Sequence, residues 1–397
     1  MAAKSSAEQI RAYTGPAVLS FPVRPFFLLA SAWAIIVMAL FMPVLAGHLV
    51  LPSAFAPIEW HVHELLFGFL PAIITGFLFT AVPNWTGRMP LQGKMLILLV
   101  VLWANGRVAV ALSAIIGWQI AMLIDGAFLV SITLVIAREI IAGRNYRNFK
   151  VLIPLTLLAL ANLLFHLEAG LGEETDLSRR LAFAAVVMLI VIIGGRIVPS
   201  FTRNWLARQK PGALPAPFGI FDKVSIAATA TALAAWVALP QHAATGSLLI
   251  LSGMLQVIRL VRWQGHRTWR DPLVWILHVS YGLLSAGLLV LGLSVLWSDV
   301  VRPAAALHLI AIGAIGGMTL SVMVRASRGH TGQALQAGNG GKLCFAAILV
   351  AAAARVAAEY LPSYYVLWLH IAALGWITAY LAFAATFAPH LAKTRKS

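Results

Sequence analysis

The sequence predicts an all-α polytopic membrane protein of twelve transmembrane helices with both termini cytoplasmic. Three observations lead there. Hydrophobic residues make up 61% of the 397 and charged residues only 11%, against about 25% charged in an ordinary soluble domain. Apolar stretches recur at the length a helix needs to cross a bilayer, about 20 residues. The basic residues, finally, cluster in every second connection between those stretches, as the positive-inside rule requires.

Taken in order, the stretches fall near 26–46, 61–82, 93–115, 117–137, 151–169, 181–199, 220–239, 244–261, 272–296, 303–324, 343–360 and 365–388. They are separated by Pro, Gly or charge clusters, such as Pro83-Asn84, Gly143-Arg144 and Pro211-Gly212, which interrupt a helix or turn the chain. With the N-terminus inside, 23 of the 29 Lys and Arg lie on the cytoplasmic side; Arg179, Arg180 and Arg302 lie outside, and Arg107, Arg196 and Arg355 lie within spans. One helix more or fewer would invert everything after it and erase this asymmetry. Residues 1–25 and 389–397 are therefore expected as cytoplasmic ends around a single transmembrane domain, 26–388. No Ala-x-Ala cleavage site follows a short apolar core, so the first span is expected to stay as an anchor.

The formal charge of +16 would suggest nucleic acid in a soluble protein. Here the charges are dispersed loop by loop, which speaks for anionic lipid and against nucleic acid. Cys344 is the only cysteine. That excludes an intramolecular disulfide, a Cys-rich zinc or iron–sulfur site and covalent attachment of a c-type haem.

Ionisable residues at membrane depth are costly and mark function or obligatory pairing. Arg107 lies about eight residues before the outer end of the third span and Asp125 about eight after the outer start of the fourth, on opposite sides of the tight turn at Gly117. They are expected at one depth, either as a structural ion pair or with Arg107 facing an anionic cofactor group. Five of the eleven histidines, His61, His63, His166, His308 and His370, fall by this topology in the outer layer of the membrane. Imidazole is a common ligand for haem iron and copper, so the five form a candidate haem or metal site. On a regular helix the side chains of His61 and His63 point about 200° apart, so one site takes both only where the helix is irregular.

Weak internal repetition accompanies this pattern. His63, His308 and His370 are each followed five residues on by Gly: Gly68, Gly313 and Gly375. Val82-Pro83-Asn84-Trp85-Thr86 recurs as Val198-Pro199-Ser200-Phe201-Thr202, and Gly194-Gly195 resembles Gly316-Gly317. The second, sixth and tenth spans thus match, which suggests three pseudo-repeats of four helices.

The run from Trp60-His61-Val62-His63-Glu64-Leu65-Leu66-Phe67-Gly68-Phe69 to Gly76-Phe77-Leu78-Phe79-Thr80-Ala81-Val82-Pro83-Asn84-Trp85-Thr86-Gly87-Arg88 resembles the signature of the NnrS family. Gly195 to Thr202 and His308 to Gly332 resemble it too. The resemblance implies a twelve-span bacterial inner-membrane protein containing haem and copper, active in the response to nitric oxide and nitrosative stress, often beside denitrification. The haem iron would bind His63 and His308, or His61 in place of His63. Arg107, Arg302 or Arg355 would pair with haem propionates, and Trp60 and Phe67 would line the ring faces. Copper would draw on His61, His166 or His370, and an electron donor and nitric oxide are the implied partners. The pattern also resembles, more distantly, the catalytic subunit of haem–copper oxidases. The sixth and seventh spans hold no His, so an oxygen reductase is not expected. The rival class is a twelve-span secondary transporter or metal permease using Arg107, Asp125 and His278.

Overall fold

The computed structural model describes residues 13–87, 91–209 and 211–393, without the side chains of Asn84 and Trp85. Lys4, Arg11, Arg88, Lys210, Arg395 and Lys396 of the charge pattern, with residues 1–12 of the expected N-terminal segment and 394–397 of the C-terminal one, lie outside the described residues. The chain is 82% helical with no strand among the described residues.

Twelve helices are long and apolar enough to cross a membrane: α1 Val23–Leu45, α2 Pro57–Pro83, α3 Lys94–Ala111, α4 Trp118–Ala142, α5 Tyr146–Gly170, α6 Asp176–Leu206, α7 Ile220–Ala238, α8 Ala243–Val261, α9 Pro272–Leu296, α10 Pro303–Thr331, α11 Gly338–Tyr360 and α12 Pro362–Ala392. All twelve expected spans are present. Several run further than hydropathy alone marks. The helix of α6 begins at Asp176, five residues before the expected apolar stretch, and that of α10 ends at Thr331, seven residues after it. Backbone hydrogen bonds continue past the apolar stretch, because water can serve the polar side chains there.

The starts are set by ordinary chemistry. Proline occupies the first turn of α2, α9 and α10, where its missing N–H is not needed. Glu59 accepts from the Ala56 backbone N–H at 3.1 Å at the start of α2, and Asp271 from Leu273 at 3.0 Å at the start of α9. Gly117 at φ 90° allows the abrupt reversal between α3 and α4.

By internal contacts the chain divides into two compact units. The first comprises residues up to Phe183, Gly329–Gln333 and the chain from Phe383; the second comprises Ala184–Arg328 and Ala334–Ala382. In the first, α1 packs on α2, and α4 packs on α2, α3 and α5. In the second, α9 is the hub: it packs on α8, α10 and the end of α6, while α8 holds α7 and α10 holds α11.

Burial follows a period of four. The apolar windows of α2, α6 and α10 are 78%, 67% and 67% buried, and none of the other nine exceeds 56%. The same three helices each contain a π-helical stretch: Glu64–Phe69 in α2, Ile190–Gly194 in α6 and Leu309–Gly316 in α10. Such stretches are rare and concentrate at functional positions. The expected match of second, sixth and tenth spans therefore has a structural counterpart.

Candidate metal centre

The site is assembled in the first unit from α2, α3, α4 and α5. In α2 the regular helix ends at His63 and the π-helical stretch begins at Glu64. Arg107 comes from α3, Asp125 from α4, and Asn162 and His166 from one face of α5. None of the six side chains is more than 3% exposed.

Arg107 ties the carboxylates together. Its Nη1 donates to Glu64 Oε2 at 2.7 Å, and its Nη2 donates to Asp125 Oδ1. Glu64 Oε2 also accepts from Trp33 Nε1 at 2.8 Å. Asp125 Oδ2 accepts from Asn162 Nδ2 at 2.9 Å and from His166 Nε2 at 3.1 Å. Asn162 must turn its amide nitrogen to Asp125, which only accepts. Its Oδ1 then faces His63 Nε2 at 3.1 Å, and His63 Nδ1 faces Glu64 Oε1 at 3.2 Å. Both ring nitrogens of His63 therefore confront acceptors, the hydrogen-bond pattern of an imidazolium. With His63 carrying both ring protons, the two carboxylates and the guanidinium balance to zero, the arrangement that burial favours.

His63 Nε2, Asp125 Oδ2 and His166 Nε2 lie within 4.8 Å of one another, the one group of this kind among the described residues. His166 Nδ1 is buried and has no partner. The Glu64–His63 bond is of the kind by which a carboxylate orients an imidazole through one ring nitrogen and leaves the other for a metal. Around His63, the rings of Phe55, Phe67, Phe165 and His166 stand at centroid distances of 4.9, 5.1, 5.2 and 5.0 Å. Phe67, expected beside a haem ring, packs on both His63 and Phe165.

Of the five histidines expected at one depth, the structure brings His63 and His166 together. His61 turns away and stacks on Phe41 at 4.0 Å, as the angle between i and i+2 requires. His308 and His370 belong to the second unit. Each directs Nδ1 to the carbonyl four residues before it, Ala304 at 2.8 Å and Val366 at 2.7 Å. A donated Nδ1–H leaves Nε2 as the bare nitrogen, the tautomer an axial haem ligand needs. His308 is half-buried and His370 exposed.

The arginines divide differently from expectation. Arg107 is consumed by two carboxylates of the chain, so the ion-pair alternative describes it. Arg355 pairs with Glu359 one turn on. Arg302 is exposed, and its backbone N–H points at Tyr360 Oη at 3.4 Å. Sequence reasoning passed over Asn162. Its spacing of four from His166 on an expected helix was the available signal.

A second buried network was also missed. Arg259, counted with the cytoplasmic loop charges, is fully buried near the end of α8. Its Nε donates to Asp222 Oδ1 at 2.9 Å, and its Nη1 donates to the Val191 carbonyl at 3.1 Å and to Tyr281 Oη at 3.0 Å. Tyr281 in turn donates to Gln256 Oε1 at 2.6 Å. Charge counting could not distinguish it from its solvated neighbours, because Arg259 sits two residues from the helix end.

The fold and site define a multi-pass helical membrane protein with a buried histidine–carboxylate cluster. The family model described as NnrS protein matches residues 17–395, nearly the whole chain. The chain belongs to the NnrS family. A comparison with curated proteins gives no match.

Proposed function

We propose that this chain is a haem- and copper-binding protein of a bacterial inner membrane that acts in the response to nitric oxide. His63, Asp125 and His166 would hold the ion, and His308 would supply an imidazole to the haem iron. The observation that carries this reading is the buried trio of ligand atoms within 4.8 Å of one another in a chain of this family. Two imidazoles and a carboxylate suit copper.

The chain's own residues divide the work. Glu64 orients His63, Arg107 holds both carboxylates, and Asn162 bridges His63 to Asp125. The aromatic enclosure keeps water from the ion. When bound, the haem supplies an iron that accepts electrons and a diatomic ligand. His308 supports this role through its pinned Nδ1 and available Nε2, and His370 shares the geometry at the start of α12. With the N-terminus cytoplasmic, the ion cluster lies in the outer half of the membrane. His63 is seven residues into α2, roughly 10 Å along the axis.

The transporter reading is the weaker one. It draws on Arg107, Asp125 and His278, and of these Arg107 and Asp125 are bound to each other, Asp125 also to Asn162 and His166. His278, its third element, is engaged with Thr202 at 2.7 Å.

The test is the absorption spectrum and metal content of the purified full-length protein. The expected result is a Soret band that disappears in His308→Ala and persists in His166→Ala, with copper lost in the latter. A folded protein carrying neither chromophore nor metal overturns the reading. Orientation is checked separately by a reporter fused in the Arg203–Lys223 loop, which must report cytoplasm.

A further inference from the structure

Residues 211–219, between α6 and α7, form no helix, because Pro211, Pro215 and Pro217 bar one. Main-chain groups fasten this segment to its neighbours in the second unit. Arg203 Nη2, from the last turn of α6, donates to the Pro215 carbonyl at 2.7 Å. Arg267 Nη1, from the turn between α8 and α9, donates to the Ala213 carbonyl. The Ala216 N–H donates to the Arg262 carbonyl at 3.0 Å. The Ala213 and Pro215 carbonyls are two residues apart, at most about 7 Å, so arginines distant in sequence meet along one short strap. We propose that this end of the second unit holds an anionic phospholipid of the inner leaflet by its phosphate group, on the arginines gathered around residues 211–219.

The charge there has no answer from the chain. Arg203, Arg208, Arg262 and Arg270 form no ion pair among the described residues. The two carboxylates nearby are committed elsewhere. Asp222 accepts from buried Arg259 at 2.9 Å and from the Gly219 N–H at 3.0 Å, and Asp271 caps α9. Arg262 lies over the Phe221 ring at 4.8 Å and Arg270 over Trp269 at 5.0 Å, contacts that engage a face of the guanidinium and leave its edge to donate. A guanidinium carries five N–H donors in a planar fork, of which Arg203 spends one on Pro215. That fork matches two oxygens of one phosphate.

The apolar residues beside these arginines select a lipid over a soluble anion. Leu214, Phe218, Ile220 and Trp269 are all exposed, three of them outside any membrane-spanning helix. Aromatic and apolar side chains interleaved with basic ones belong at the level of the headgroups, where the first enter the acyl boundary and the second meet phosphates. With the N-terminus cytoplasmic, this end faces the leaflet that carries anionic lipid.

The test is a titration of the delipidated full chain, in neutral detergent, with phosphatidylglycerol and with phosphatidylcholine. Bound lipid is counted by native mass spectrometry. Wild type is expected to retain phosphatidylglycerol in preference to phosphatidylcholine. Arg208→Gln with Arg270→Gln removes two charges that fasten nothing to the strap, and should lower the phosphatidylglycerol affinity by about 25-fold, near fivefold for each. Arg144→Gln with Arg147→Gln removes as much charge from the connection of α4 to α5 in the first unit and should change it by less than about twofold, since exposed charges are screened beyond about 10 Å. Leu214→Ser with Trp269→Ser should weaken the lipid while leaving the charge intact. Circular dichroism checks that each variant keeps its helices. Equal retention of the two lipids would overturn the proposal, as would an equal loss from the first-unit substitutions. Displacement of the lipid by the same concentration of inorganic phosphate or of a polyglutamate peptide would overturn it too, and would make this a surface for a soluble anion or an acidic protein.

Discussion

The buried charges of α2, α3 and α4 make a prediction that can be worked in free energy. In the metal-free protein, Asp125 accepts from Arg107, Asn162 and His166 and lies 3.3 Å from His63 Nε2. Arg107 is shared between Asp125 and Glu64. Arg107→Met leaves two buried carboxylates with one imidazolium between them. Asp125→Asn leaves the guanidinium with a single carboxylate and the cluster at +1. Each removes one partner of a buried pair, a loss of about 3–5 kcal/mol. The double variant keeps Glu64 against His63 and Trp33, and its charges balance again. It should therefore fall short of the sum of the single losses by about 2–3 kcal/mol, the range for residues in one network. Equilibrium unfolding in mixed detergent–SDS micelles, followed by tryptophan fluorescence on chelator-treated protein, measures all four corners of the cycle. Additivity within about 0.5 kcal/mol, the behaviour of independent sites, would refute the argument that these charges exist only as a balanced set.

Two further predictions concern packing and the second network. Gly68→Ala should destabilise by about 1–3 kcal/mol through overpacking, since its Cβ meets Arg107, Glu64 and Trp33, all held by hydrogen bonds. Gly194→Ala is the control: its nearest atoms, on Tyr281, stand at an ordinary 3.5 Å, and the same unfolding assay should show a smaller loss. Tyr281→Phe removes the hydroxyl between Arg259 and Gln256 and should lower stability by about 1–3 kcal/mol, the penalty for orphaned buried groups. Metal content should not change, and a loss of metal in this variant would contradict the assignment of the ion to the first unit.

The number and order of helices were legible because hydropathy and charge act over whole spans, and a misplaced helix would have undone the charge asymmetry. Helix ends were less legible. Polar residues such as Asp176 and Arg328 continue a helix beyond the apolar stretch and carry no hydropathy signal. For the site, the approximate depth of Arg107 and Asp125 could be read from the turn at Gly117, and their pairing followed. Which histidine meets which partner could not. It depends on rotation about each helix axis, and the π-helical stretch after His63 alters that rotation in a way no 3.6-residue periodicity contains. The same limit hid Asn162 and placed Arg259 among solvated charges.

The π-helical stretches also bear on how many sites the fold provides. In α2 the stretch follows His63 directly and contains Gly68; in α10 it follows His308 and contains Gly313; in α6 it follows Leu189 and ends at Gly194. The three helices therefore align at His63, Leu189 and His308, each with Gly five residues on. His370 and Gly375 share the spacing but lie in a helix without such a stretch, where Gly375 serves close packing on Ala347 and Ala351. The Val-Pro motif gives an offset ten residues shorter than this alignment, so it marks helix ends and not equivalent depth. In each of the three stretches a side chain donates to a backbone carbonyl. Trp103 donates to the Gly68 carbonyl at 2.9 Å, Arg259 to that of Val191 at 3.1 Å, and Thr319 to that of Gly316 at 3.1 Å. The irregularity is thus common to all three, while an imidazole stands at its entrance only twice. Where Leu189 stands in place of the histidine, the Val191 carbonyl, which also accepts from the Gly195 N–H, takes a hydrogen bond from a buried arginine paired with Asp222. Repeats one and three carry a histidine at this position, and repeat two carries the same helix geometry beside the Arg259–Asp222 ion pair.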